Sequence, residues 1–185
     1  MAEVTDPRFV EQTRAWVERV VIGLKLCPFA PAPAYKGLIR YATSDATTPE
    51  ALLEDLAAEL QRLVAVSPEQ LETTLLIHPH VLQNFQRYNE FLTVADETLI
   101  ELGLEGEIQI ASFHPRYQFA GTRADNISNA TNRSPFPTLH LLREASIERA
   151  VDSFGDTTAI SRTNIETMEK LGRGGLDALL REVIP

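Results

Sequence analysis

Two of the four histidines, four arginines, three asparagines and an aspartate fall in one stretch, Ser112 to Arg143. Imidazole moves protons near neutral pH, guanidinium pairs with carboxylate or phosphate, and amides orient a ligand or hold loop backbone. His114 is the candidate general acid or base, with Asp125 to orient a histidine. Arg116, Arg133 and Arg143, with Asn126 and Asn132, are the candidate ligand-binding groups for a small anion. The other reading is self-stabilisation, because a long loop must satisfy its own backbone and Asn and Asp do that well. Pro115, Pro135, Pro137 and several aromatic rings share the stretch. Such composition points to an ordered loop, not a disordered one.

His78 and His80 flank Pro79, and His114 precedes Pro115. Three imidazoles on one surface would suit Zn²⁺ with water in the open position. Alternatively, each His-Pro punctuates a strand end, its imidazole bonded to backbone. Cys27 is the sole cysteine, so an internal disulfide is impossible. A thiol beside a histidine is a nucleophile. At a helix C-terminus, however, the macrodipole raises the thiol pKa, which favours a small buried hydrophobe. Gly172-Arg173-Gly174-Gly175 lacks the Walker and Rossmann spacings; it reads equally as a phosphate cradle at a helix N-terminus or as a helix C-cap followed by a flexible turn.

The elements that must position these groups follow from period and punctuation. Asp6-Pro7 opens a helix whose apolar positions are Phe9, Trp16, Val17, Val20 and Leu24; it should stop near Cys27 because three prolines follow. Leu38–Tyr41 reads as a short strand. Thr48-Pro49-Glu50 starts a helix with Leu52, Leu53, Leu56, Leu60, Leu63 and Val64 on its apolar face. Thr73–Ile77 is a buried strand. Val81–Leu102 is a helix closed by Gly103, and Glu107–Phe113 is a third strand. Thr138–Leu142 is either a fourth strand or a first helical turn. Glu144–Phe154 is helical and ends at Gly155. Thr163 with Glu166 resembles a capping box for a short helix ending at Gly172, and Leu176–Val183 is the last helix.

Strand, helix, strand, helix, strand is the order of parallel βαβ units. The expected fold is therefore α/β, a small mainly parallel sheet flanked by helices, with a helical C-terminal segment. An α+β ferredoxin-like sheet is the alternative, favoured if Thr138–Leu142 is an antiparallel fourth strand. Parallel strands would put both His-Pro pairs on one rim, where α/β sheets bind ligands.

A chain of 185 residues with 44% hydrophobic side chains is expected to form one domain, residues 1–185. The formal charge of −9 disfavours a general nucleic-acid binder and anionic membrane surfaces. A local arginine cluster can still hold a small anion against that field. The N-terminus shows no basic-then-apolar leader, and no apolar run is long enough to span a bilayer, so a cytoplasmic location is expected.

Leu26-Cys27-Pro28-Phe29-Ala30, His114-Pro115-Arg116-Tyr117-Gln118-Phe119-Ala120-Gly121-Thr122 and Asn132-Arg133-Ser134-Pro135-Phe136-Pro137-Thr138-Leu139-His140-Leu141-Leu142-Arg143 resemble motifs of a bacterial family catalogued as domain of unknown function 1415. The resemblance covers nearly the whole chain and implies a single-domain cytosolic bacterial protein. It carries over no activity and no catalytic residue. From the residues themselves, the expected function is an enzyme, hydrolytic or group-transferring, on a small anionic metabolite. The alternatives are a non-catalytic small-ligand or protein-binding module, and a metal protein using His78, His80 and His114. The residues imply no particular cofactor or oligomeric state.

Overall fold

A computed structural model describes residues 6–154 and 157–184. The first helix, α1 (Pro7–Trp16), is capped by the Asp6 carboxylate, which accepts from the Arg8 N–H at 3.0 Å. It does not run straight to Cys27. Val17–Ile22 widens into a π-helical turn, with Gly23 N–H reaching back to the Glu18 carbonyl. A Cβ on Gly23 would lie 2.1 Å from the Arg19 carbonyl oxygen, so this turn admits only glycine there. The prolines that stop this helix open another, α2 (Pro31–Tyr35), which the proline-as-terminator reading had not anticipated.

Strand β1 (Ile39–Thr43) is followed by α3 (Pro49–Ala65), whose Thr48 hydroxyl accepts from Ala51 N–H. Strand β2 (Thr73–Ile77) is buried at all five positions. Helix α4 (Phe85–Glu101) starts four residues later than its apolar period suggests. Leu82 takes a left-handed conformation, φ 58°, and Asn84 caps the helix by accepting from Arg87 N–H. Strand β3 (Ile108–Phe113) leads through the long loop and a 3₁₀ turn, Ile127–Asn132, into β4 (Thr138–Arg143). Helix α5 (Glu144–Phe154) and helix α6 (Thr157–Val183) complete the chain. Gly172, φ 65° and ψ 171°, breaks α6. Thr163 and Glu166 lie inside α6 and cap nothing; the expected stop at Gly155 lies outside the described residues.

The four strands are ordered β1-β2-β4-β3. β1 and β2 are parallel, while β4 is antiparallel to both β2 and β3. The sheet is thus mixed, not mainly parallel. The reason is the loop: it returns the chain to the end it left, pairing Phe113 with Thr138, so the next strand must run the other way. The βαβαββ order is also not the βαββαβ repeat of a ferredoxin-like fold, although the fourth strand is antiparallel as that alternative required. β1, β2 and β3 nevertheless share one direction. Their carboxyl ends, including both His-Pro pairs, therefore lie on the same rim.

Alternation along the strands separates two cores. Ala42, Leu76, Leu139, Leu141 and Ile108 face α3 and α4, where Leu52, Leu56, Leu60 and Leu63 are fully buried. Ile39, Tyr41, Leu75 and Phe113 face the other way, against Trp16, Val17, Val20 and Met168 from α1, its π extension and α6. No helix among the described residues is long and apolar enough to cross a membrane. The core assignments of Trp16 and Leu56 hold: they are 2% and 0% exposed. Leu56→Ala should destabilise the protein by about 2–5 kcal/mol. A denaturant melt with an unchanged midpoint would show that this face is not the packed one.

Candidate functional site

The rim of the sheet is built around Tyr88 of α4. Its hydroxyl donates to the Thr138 carbonyl at 2.8 Å and accepts from Phe113 N–H at 3.1 Å. One phenol thus closes the β3–β4 pair where the loop leaves and returns. Its ring lies 5.7 Å from His78 and 5.0 Å from His114. Phe85, Tyr117 and Phe119 continue the aromatic contacts outward, at 5.4 Å from His114 to Phe85, then 5.2 and 5.0 Å. The loop is therefore held down by a chain of tilted and edge-on ring contacts.

His114 sits on this rim but both its ring nitrogens serve backbone. Nε2 donates to the Leu82 carbonyl at 3.1 Å, and Nδ1 accepts from Arg116 N–H at 2.9 Å. Burial holds its pKa below the usual imidazole value; the bond to the Leu82 carbonyl opposes this and the nearby Arg116 charge adds to it. No lone pair is left to take a substrate proton. His78 is fully buried, donates from Nδ1 to the Val81 carbonyl, and leaves Nε2 without a partner. Burial pushes its pKa down to about 4. His80 is exposed and meets Phe9 edge-on at 5.4 Å. Among the described residues no group of three or more His, Cys, Asp or Glu is placed to hold a metal ion. The three imidazoles are not gathered into one ligand set: His114 gives both ring nitrogens to backbone, His78 is fully buried with Nδ1 on the Val81 carbonyl, and His80 is exposed beside Phe9.

The loop amides are also spent on the loop. Asn126 caps the 3₁₀ turn, its carbonyl oxygen accepting from Ser128 N–H and hydroxyl. Asn129, fully buried, accepts from Phe119 N–H and Thr122 Oγ1 and donates to the Arg123 carbonyl. Asn132 donates to the Ser112 carbonyl. Asp125 is exposed and pairs with Arg123 and Arg173; no histidine is among its partners. Arg133 donates to the Tyr117 carbonyl at 3.1 Å and the Ala124 carbonyl at 2.7 Å. Arg143 is at the far end of the sheet, donating to the Leu63, Val66 and Leu71 carbonyls. It caps α3 and does not meet the loop groups. Of the three candidate arginines, Arg116 is the one whose guanidinium is exposed and makes no hydrogen bond or ion pair among the described residues.

A different place on the sheet is concave. A cavity of about 800 Å³ opens on the Leu75 side, between the π turn, the Cys27–Pro33 segment and α5. Its walls include Trp16, Val21, Ile22, Ile39, Leu142 and Ile147. His140 stands in its floor, at the middle of β4, beside Phe113 at 6.1 Å. His140 Nε2 lies 2.8 Å from Thr73 Oγ1, and that hydroxyl lies 2.6 Å from the Leu141 carbonyl. Burial pushes the imidazole pKa down to about 4. Cys27 lines the same cavity. Burial pushes its thiol up, against hydrogen bonds to the sulfur from the backbone of Phe29 and Ala30. Lys25 and Arg149 stand at the wall with Glu72. Lys25 takes a left-handed conformation, φ 57°, where a helix-terminating glycine is the usual choice.

His140 is not among the candidate site residues of the sequence. The signal was present: if Thr138–Arg143 is a strand, Leu139 and Leu141 point one way and His140 interrupts the other face.

Residues 8–178 match the family described as Protein of unknown function (DUF1415). The chain belongs to that family. No curated protein and no solved structure was found to match. The three motifs quoted above fall on the structural positions just described: the Cys27 segment on the cavity wall, the His114 segment on the rim, and the last motif on β4 and its approach.

Two measurements follow from these contacts. Arg133→Ala removes donors to two loop carbonyls and should lower the melting temperature, whereas Arg116→Ala should leave it unchanged. Equal effects would mean that the loop does not rest on Arg133. Burial pushes the pKa values of His78 and His140 from the ordinary 6.5 down to about 4 in the folded chain. The unfolded chain therefore takes up protons first as pH falls. The stability these rings confer is complete above pH 6.5 and is lost on the way down to about 4. Thermal melts should show the loss beginning near pH 6.5; a plateau persisting into the carboxylate range would show that the two rings are not neutral and buried.

Proposed function

We propose that this chain binds a small amphipathic anion, apolar body inward, in the cavity on the Leu75 face of the sheet. The observation that carries the reading is the cavity itself: about 800 Å³, apolar walls and a few placed polar groups, the usual make-up of a small-molecule site. Its construction supports the reading. A π-helical turn, which is uncommon and concentrates at functional sites, forms one wall. A lysine in a left-handed conformation stands at its edge, and such strain persists only where surrounding structure holds it. Lys25 and Arg149 against Glu72 make the wall locally cationic in a chain of net charge −9.

The small anionic ligand expected from the loop is thus moved to the sheet face. In this reading His114, Asp125, Asn126, Asn132 and Arg133 hold the loop, Arg143 caps α3 and also lines the cavity, and Arg116 stays exposed on the rim. Hydrolytic or group-transfer chemistry in the cavity would fall to Cys27 and His140. Burial keeps the thiol protonated and the imidazole neutral, so these groups favour binding over nucleophilic attack.

The sole cysteine makes the test direct. N-ethylmaleimide labels one site, read by intact mass. Laurate should slow labelling of Cys27 and raise the melting temperature, while inorganic phosphate should do neither. Labelling at the same rate with and without laurate, with no thermal shift, would refute the cavity as a binding site for apolar anions.

A further inference from the structure

The floor of the cavity holds more information than its walls. Thr73 Oγ1 has one proton. The Leu141 carbonyl, 2.6 Å away, can only accept, so that proton is committed to it. His140 Nε2, 2.8 Å from the same oxygen, must then be the donor. In a neutral ring this leaves Nδ1 with a bare lone pair. No described residue donates to it, and His140 lines the cavity. Thr73 and His140 lie on neighbouring strands with Leu75 directly opposite His140, so the relay is fixed by strand register and not by a mobile side chain.

Resting on the cavity reading above, we infer that His140, locked as the Nε2–H tautomer by the Thr73–Leu141 relay, is a specificity-determining hydrogen-bond acceptor that selects ligands carrying a hydroxyl or N–H at the deep, apolar end. The ligand class is then an acid with two polar ends: an anionic head near Lys25 and Arg149, an apolar body, and a neutral donor at the floor. A ligand lacking that donor would cover Nδ1 and leave it dry and unpaired, which is the costly case for a buried acceptor. The ring stays an acceptor at neutral pH because burial keeps it unprotonated.

Two measurements on the full chain test this. Long-range proton–nitrogen NMR on histidine-labelled protein, without any ligand, should show His140 protonated at Nε2 and bare at Nδ1. Thr73→Val should remove the lock and mix the tautomers. A wild-type ring protonated at Nδ1 overturns the inference whatever the cavity binds. The second measurement compares laurate with ω-hydroxylaurate by protection of Cys27 from N-ethylmaleimide. The hydroxy acid should bind roughly tenfold tighter than laurate. His140→Phe should abolish or invert that preference, and Thr73→Val should weaken it should the phenylalanine variant fold poorly. Equal protection by the two acids leaves the cavity reading standing and sinks the acceptor role. A preference that survives in a folded His140→Phe protein also sinks it. Protection by neither acid overturns both readings together.

Discussion

Everything in this fold depends on where β4 goes. The strand fills the space between β2 and β3, so its backbone supplies hydrogen bonds to both neighbours at once. A central strand has no solvent to fall back on; every N–H and C=O it buries needs a partner. That demand sets the register on each side, Leu76 against Leu139 and Leu139 against Ser112. A slip by one residue would turn Leu139 and Leu141 out of the α3–α4 core and His140 into it. The same insertion places an imidazole at the middle of the sheet, within reach of a threonine on the next strand. The cavity floor and the core are thus two faces of one pairing decision.

The loop between β3 and β4 is far longer than the pairing of Phe113 with Thr138 requires, and it is ordered because it satisfies itself. Tyr88 ties its two ends by bonding both Phe113 N–H and the Thr138 carbonyl. Asn129, buried without exposure, holds Phe119, Thr122 and Arg123 to one amide. His114 performs the same work from the rim, one nitrogen to Leu82 and one to Arg116. A dense set of His, Arg and Asn residues is what an anion site needs. It is also what a long structured loop needs, since both tasks require satisfied backbone and fixed polar groups. Composition alone does not separate the two, and only hydrogen-bond partners do.

This explains which parts of the molecule were legible in the sequence. The caps at Asp6 and Thr48, the leucine face of α3 and the strand at Thr73–Ile77 are local signals, and each appears where its chemistry places it. The shared rim of His78 and His114 was legible because β1, β2 and β3 keep one direction. The mixed sheet was not, because Thr138-Leu139-His140-Leu141 reads equally well as strand or helix until a pairing partner is known. The π turn was invisible for a related reason: a 3.6-residue period and a slightly wider one predict the same buried Trp16, Val17 and Val20. Helix α2 was hidden by its own prolines, which end one helix and begin the next.

The cavity gathers features that each oppose local preference. Val17–Ile22 gives up the tighter α-helical geometry, and Gly23 is compelled by the resulting approach of the Arg19 carbonyl. Lys25 accepts a conformation that glycine adopts more cheaply. His140 places a polar ring among Leu75, Phe113 and Leu142, where an aliphatic side chain would pack without needing Thr73. Any one of these is tolerable in a scaffold. Their convergence on one apolar chamber is harder to assign to folding, although Lys25 does close the helix, with Lys25 N–H on the Ile22 carbonyl and Leu26 N–H on the Val21 carbonyl. Departures from local consistency belong at sites shaped for something other than stability. In this chain they surround the chamber, whereas the loop that looks functional by composition obeys every local rule.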